Sequence, residues 1–168
     1  MKKLVLAASL AVFAFAQTTR AEWHPKGNRI MTVWADSIDP QAPLAEYPRP
    51  IMERTQWKNL NGLWQYALTP RSASTFTKAD GEILVPFAVE SALSGVARRV
   101  GADSLLWYER SFSVPRGWNE RVLLHFGAVD WQADVWVNDV KVGSTRADSP
   151  PSASISPTPS TAMPASKS

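Results

Sequence analysis

The chain has 168 residues, 45% hydrophobic, 20% charged and 10% aromatic, the size and composition of one ordinary globular domain rather than of a large multidomain enzyme. With no cysteine and two histidines, a disulfide scaffold, a thiolate metal site and a cysteine nucleophile are excluded, and a multi-histidine centre is disfavoured. Any chemistry falls to oxygen groups and aromatics. Eight tryptophans, from Trp23 to Trp136, are many for this length, a composition common in β-domains that hold sugars.

The sequence pI of about 9.4 owes much to the N-terminus. Met1-Lys2-Lys3, an apolar run from Leu4 to Ala16 and the Ala14-Phe15-Ala16 ending form the charged, apolar and small-residue regions of a secretory signal peptide. Thirteen residues are too few to cross a hydrocarbon core of about 30 Å. Cleavage after Ala16 removes Lys2 and Lys3, leaving 16 basic against 15 acidic residues and a net charge of +1. The expected product is exported, periplasmic or extracellular, with no membrane span after cleavage. No dense basic patch remains for phosphates, so nucleic acid is not an expected partner.

Residues 17–55 form an irregular lead-in punctuated by Pro25, Pro40, Pro43, Pro48 and Pro50. Leu63 to Leu68 reads as an aromatic-rich strand after Asn61-Gly62, and Glu82 to Val85 as a second, closed by Pro86. From Leu106 to Val114, Leu106, Tyr108, Phe112 and Val114 share one face, interrupted by Arg110. Arg121 to Phe126 predicts a strand buried on both faces. Ala133, Val135 and Val137 alternate with Asp134 and Trp136, and Asn138-Asp139 separates them from Val140-Lys141-Val142 as a two-residue hairpin turn. Short strands, turn punctuation and no helical period predict an all-β sandwich. Of the 25 residues after Gly143, 16 are Ser, Thr or Pro, a composition that cannot build a core.

Four blocks in order carry a family resemblance: Trp57-Lys58-Asn59-Leu60-Asn61-Gly62-Leu63-Trp64; Val85-Pro86 with Glu90-Ser91-Ala92-Leu93-Ser94-Gly95; Trp107-Tyr108-Glu109-Arg110-Ser111-Phe112; and Leu124 through Asp130-Trp131 to Asn138. From Met31 to Gly143 the chain resembles the N-terminal sugar-binding domain of glycoside hydrolase family 2, which includes β-galactosidases, β-glucuronidases and β-mannosidases. The resemblance implies a galactose-binding-domain-like jelly-roll β-sandwich over residues 56–143. In complete members an immunoglobulin-like domain follows, then a TIM barrel with both catalytic glutamates; neither is expected in this chain.

Residues 144–168 depart from the family, which continues the hairpin with a Gly-Gly-aromatic stretch and Asp-Ile-Thr. Codons for Ser-His-Ala-Gly-Gly-Phe-Ala-Pro-Phe-Ser-Val-Asp-Ile can be chosen so that deleting the first base of the histidine codon yields the residues observed from Ser144 to Ser156. The tail is therefore read as frameshifted, leaving the sandwich incomplete, or else as a genuine disordered Ser/Thr/Pro stalk. Loss of the last inward side chains, each worth about 1.5 to 3 kcal/mol, would weaken the fold.

Retaining glycosidases need two carboxyl groups about 5 to 5.5 Å apart. Glu90, Glu109, Asp130 and Asp134 lie in the matched blocks, but none stands where the family places its catalytic pair, so no catalytic residue is assigned. Asp130 is the candidate substrate-binding residue, since the resemblance sends its loop toward the sugar pocket and a charged acceptor strengthens hydrogen bonds to hydroxyls. Trp131 joins it as an apolar face for sugar C–H groups. Trp64, Trp107 and Trp136 read as packing residues, His125 as structural, Glu90 and Ser91 as loop caps, and Arg98 and Arg99 as solvated.

No G-x-S-x-G, G-x-G-x-x-G, P-loop or H-E-x-x-H pattern occurs, and no cofactor or metal is expected. The leading expectation is the sugar-binding portion of an exported family 2 glycosidase acting on terminal β-linked sugars, with a β-galactoside-like glycan as partner. A stand-alone carbohydrate-binding module and an inert structural domain are the rivals.

Overall fold

The structure, a computed structural model, describes residues 22–28, 30–118, 122–129, 131–146 and 154–155. Among these, seven strands run in chain order: β1 (Gly62–Pro70), β2 (Gly81–Val85), β3 (Ser104–Glu109), β4 (Leu124–His125), β5 (Gln132–Val137), β6 (Val140–Arg146) and β7 (Ser154–Ile155). Three short 3₁₀ turns, Val33–Ser37, Pro50–Met52 and Ala92–Ser94, are the described helical segments. Pairing is antiparallel throughout, in sheets β2-β1-β3, β4-β7 and β5-β6. The class is all-β with open sheets, as in a sandwich and unlike a closed barrel. Two compact units are distinguished: Met1–Glu53 with Lys58–Arg110, and Arg54–Trp57 with Ser111–Ser168.

The first unit is built on the three-stranded sheet. Register pairs Trp64 with Ile83, Tyr66 with Tyr108 and Leu68 with Leu106, so one face carries Trp64, Tyr66, Leu68, Ile83, Leu106 and Tyr108. Tyr66 and Ile83 on that face join Val89 and Val96 from the following loop in the buried core, with Trp64, Val100 and Leu106 packed against it. Ile83 and Leu84 are adjacent and both fully buried, so β2 is covered on both faces. The sequence assigns two-sided burial to 121–126 instead. There β4 is only Leu124–His125, the apolar side chains from Val122 to Phe126 are half-buried, and His125 is exposed.

The 86–100 loop holds its shape with its own polar groups. Ser91 caps the Ala92–Ser94 turn, its hydroxyl accepting from the Ser94 N–H at 3.2 Å. Ser94 is completely buried, its hydroxyl 2.8 Å from the Ser91 carbonyl and accepting from the Val96 N–H at 3.0 Å. Gly95 ends the turn at φ 76°, and a Cβ there would come within 2.8 Å of the Trp23 indole nitrogen.

Arg110 explains why the third strand is shorter than the alternation suggests. β3 ends at Glu109, and the Arg110 guanidinium donates to the carbonyls of Leu60 at 2.7 Å and Asn61 at 2.8 Å. The Trp64 indole N–H donates to the same Leu60 carbonyl at 2.8 Å, and the guanidinium lies 5.9 Å from the centre of the Trp64 ring. Asn59 and Asn61 donate from their side-chain amides to the Leu44 and Pro43 carbonyls at 3.0 and 3.2 Å, tying down the lead-in. The residues of the first and third family-like blocks thus act as clamps on backbone.

In the second unit β5 and β6 form the hairpin that the Asn138-Asp139 pair predicts. Both residues have positive φ, 49° and 65°, the backbone of a type I′ turn. The strand continues past Gly143 to Arg146, and Ser154–Ile155 pairs with Leu124–His125, so residues of the Ser/Thr/Pro-rich segment take part in pairing.

Candidate functional site

The β5–β6 hairpin carries the clearest arrangement of exposed aromatic and charged groups. Along β5 the even positions Gln132, Asp134 and Trp136 are exposed, while Ala133, Val135 and Val137 are half-buried. Pairing sets Trp136 opposite Lys141, but Val135 opposite Gly143, so Val142 is an extra residue in β6. This bulge shifts the alternation by one residue. Ser144 and Arg146, opposite Asp134 and Gln132, therefore share the outer face with Lys141.

The charged groups on that face are organised around two indole rings. The Lys141 ammonium pairs with the Asp134 carboxylate at 2.8 Å and lies 5.8 Å from the centre of the Trp136 ring. The Arg146 guanidinium lies 4.9 Å from the centre of the Trp131 ring. Both rings remain open to solvent, Trp131 50% and Trp136 44% exposed. Each indole supplies an apolar face with a cation beside it, and next to the Trp136 ring the Asp134–Lys141 pair carries both an acceptor and donors.

Of the two residues expected to bind sugar, Trp131 is thus accessible and lies beside Arg146, whereas Asp130 lies outside the described residues. Trp136, read from the sequence as a packing residue, is nearly half exposed on the outer face. Trp64 and Trp107 are part-buried and spend their indole N–H groups internally, on the Leu60 carbonyl and the Thr69 hydroxyl, each at 2.8 Å. Lys141 and Arg146 were not singled out by the sequence. Lys141 follows from counting back across the two-residue turn, but Arg146 reaches this face only through the bulge.

The other candidate carboxylates serve separate surroundings. Glu109 is exposed at the end of β3, and Asp134 is held by Lys141. Glu90 is exposed, and its charge adds to burial, the larger cause, in raising the Tyr108 phenol above its ordinary pKa of 10.0. Arg98, expected to be solvated, forms an exposed ion pair with Asp80 at 3.5 Å. Among the described residues no group of three His, Asp or Glu side chains could hold a metal ion, and no helix is long and apolar enough to cross a membrane.

A cleft of about 350 Å³ lies in the first unit, lined by Glu22, Trp23, His24, Ala35, Asp36 and Pro40 among others. Its size is at the low end for small-molecule sites. The Trp23 indole N–H is buried without a hydrogen-bond partner among the described residues, pressed toward Gly95.

No family model matches the chain. A β-glucuronidase of Paenibacillus borealis is 28% identical over 107 residues, 60% of this chain and 18% of that protein. A β-glucuronidase of Streptococcus agalactiae serotype V is 25% identical over 99 residues, 58% of this chain and 16% of that protein. The matched stretch is less than a fifth of the length of either relative. These weak similarities relate the chain to glycoside hydrolases.

Proposed function

We propose that the chain is the sugar-binding, non-catalytic N-terminal portion of an exported family 2 glycoside hydrolase that acts on terminal β-linked sugars. The observation that carries this reading is the similarity to two β-glucuronidases over less than a fifth of their length. The four motif blocks agree with it, and so does an accessible Trp131 at one end of the hairpin face. In this reading the protein contributes substrate-end contacts and packing, while the carboxylate pair that cleaves the glycosidic bond belongs to a barrel outside this sequence. Export rests on the leader from Met1 to Ala16, and the mature protein works in the periplasm or outside the cell.

The site acts by shape and desolvation rather than by proton transfer. The Trp131 ring takes the apolar face of a sugar, and Asp130 accepts from its hydroxyls with the added strength of a charged acceptor.

Titration of the full chain with β-linked galactose, glucuronate and mannose oligosaccharides, followed by calorimetry beside an assay on aryl β-glycosides, tests this. Saturable binding of at least one sugar, weakened by Trp131→Ala and unaccompanied by hydrolysis, is expected. Hydrolysis by the chain alone would assign it catalysis. A cooperatively melting protein that binds no sugar would leave it the inert structural domain.

A further inference from the structure

We propose that the outer face of the β5–β6 hairpin is a binding surface for an extended acidic oligosaccharide, with Arg146 receiving a uronate carboxylate and Trp136 stacking a sugar further along the chain. The inference rests on the sugar-binding reading and adds the charge and length of the ligand.

Charge distinguishes the two ends of the face. At the Trp136 end the Lys141 ammonium is neutralised by Asp134 at 2.8 Å, so this end presents a ring with a balanced donor and acceptor, the complement of an uncharged, hydroxyl-bearing unit. At the Trp131 end Arg146 forms no ion pair with any described residue and has the indole ring as its neighbour at 4.9 Å. A guanidinium lodged on a ring keeps in-plane N–H groups for an acceptor, and its planar fork matches a carboxylate with two parallel hydrogen bonds. The ring also restrains the long side chain, reducing the entropy that carboxylate capture costs.

Length follows from the strand. From Gln132, the partner of Arg146, to Trp136 the chain rises roughly 13 Å, more than one sugar ring spans. The two ends therefore address different units of one oligosaccharide. A single-stranded nucleic acid could also stack on indoles, but its backbone brings a phosphate with every base, and among the described residues this face offers one cation without an ion pair, Arg146, and the carboxylate of Asp134. One anionic group beside uncharged neighbours fits the charges better.

The test measures binding by the full chain of a tetrasaccharide with one terminal uronate on three uncharged units, of the same tetrasaccharide after that carboxyl group is reduced to an alcohol, and of oligothymidylate, by calorimetry at low salt. The wild-type chain is expected to prefer the uronate by about tenfold, the scale of one charge-assisted hydrogen-bonding pair. Arg146→Gln should abolish that preference and leave binding of the reduced sugar intact, whereas Trp136→Ala should weaken both sugars alike. Thermal melts of each variant show that the fold survives. Equal binding of the two sugars, or a preference that persists in Arg146→Gln, overturns this inference and leaves the sugar-binding reading standing. Binding of neither sugar by a cooperatively melting chain removes both, and selective binding of oligothymidylate replaces this proposal with a nucleic-acid surface.

Discussion

The three-stranded sheet and the β5–β6 hairpin use tryptophan in opposite ways. In the sheet, Trp64 and Trp107 are part-buried and give their indole N–H groups to the Leu60 carbonyl and the Thr69 hydroxyl. In the hairpin, Trp131 and Trp136 are about half exposed and border Arg146 and Lys141. A buried indole must satisfy its N–H or lose free energy, so its ring and its donor are both committed to the fold. An exposed indole beside a cation has a ring that costs little to leave wet and can be covered by a ligand. The difference separates rings committed to the fold from rings left accessible within one short chain.

The largest effect that sharpens this contrast lies in the sheet. Ile83 is fully buried and packs with Tyr66, Val89 and Val96, so Ile83→Ala removes buried methylenes and opens a cavity. A loss of about 2 to 5 kcal/mol is expected in chemical denaturation, a large part of a typical domain stability of roughly 5 to 15 kcal/mol. Trp136→Ala in the hairpin should cost much less, because the side chain is already 44% exposed. If the two substitutions destabilise equally, the division between side chains committed to the fold and side chains left accessible fails.

The scaffold was the more legible part in the sequence. Period-two alternation placed Leu106 and Tyr108 on one face of β3, and Asn138-Asp139 marked the hairpin turn, since both signals depend on neighbouring residues alone. Two-sided burial of β2 was not legible, because Ile83 packs with Val89 and Val96 of a loop that has no periodicity, and Leu84 on the opposite face is buried as well. The early end of β3 depends on Arg110 reaching carbonyls some fifty residues back, a partnership no local pattern encodes. For the candidate site, Trp131 stood out by its place next to Asp130, whose loop the family resemblance sends toward a sugar pocket. Arg146 did not, because a strand without the Val142 bulge would point it to the opposite face.

A smaller effect tests how the hairpin face is held. Asp139 occupies φ 65°, where a side chain clashes with the backbone and glycine does not. Relief of left-handed strain, roughly 1 to 2 kcal/mol for an ordinary residue and less for Asp, is offset by the greater freedom that glycine loses on folding, about 0.5 to 1 kcal/mol. Asp139→Gly should therefore stabilise by less than about 1 kcal/mol, read as a small rise in melting temperature, with glycan affinity unchanged. A fall in melting temperature would mean that the Asp139 side chain itself holds the turn.

The smallest expected change is a titration in the sheet, where burial and a neighbouring carboxylate act on the same phenol. The Tyr108 pKa is raised first by burial and then by the negative charge of Glu90, which opposes formation of a second anion nearby. A phenol that holds its proton more tightly in the folded than in the unfolded chain contributes its stabilisation below the unfolded value of 10.0. That contribution is lost as pH rises from there through the higher folded value. Glu90→Gln removes the weaker of the two causes, so the tyrosinate absorbance of Tyr108, identified by its absence in Tyr108→Phe, should appear at lower pH than in the parent yet still above the ordinary range. A complete return to the ordinary value would make the carboxylate, rather than burial, the dominant cause. An unchanged titration would show that water screens Glu90 and that partial burial alone raises the phenol, in keeping with the small effect of exposed charges.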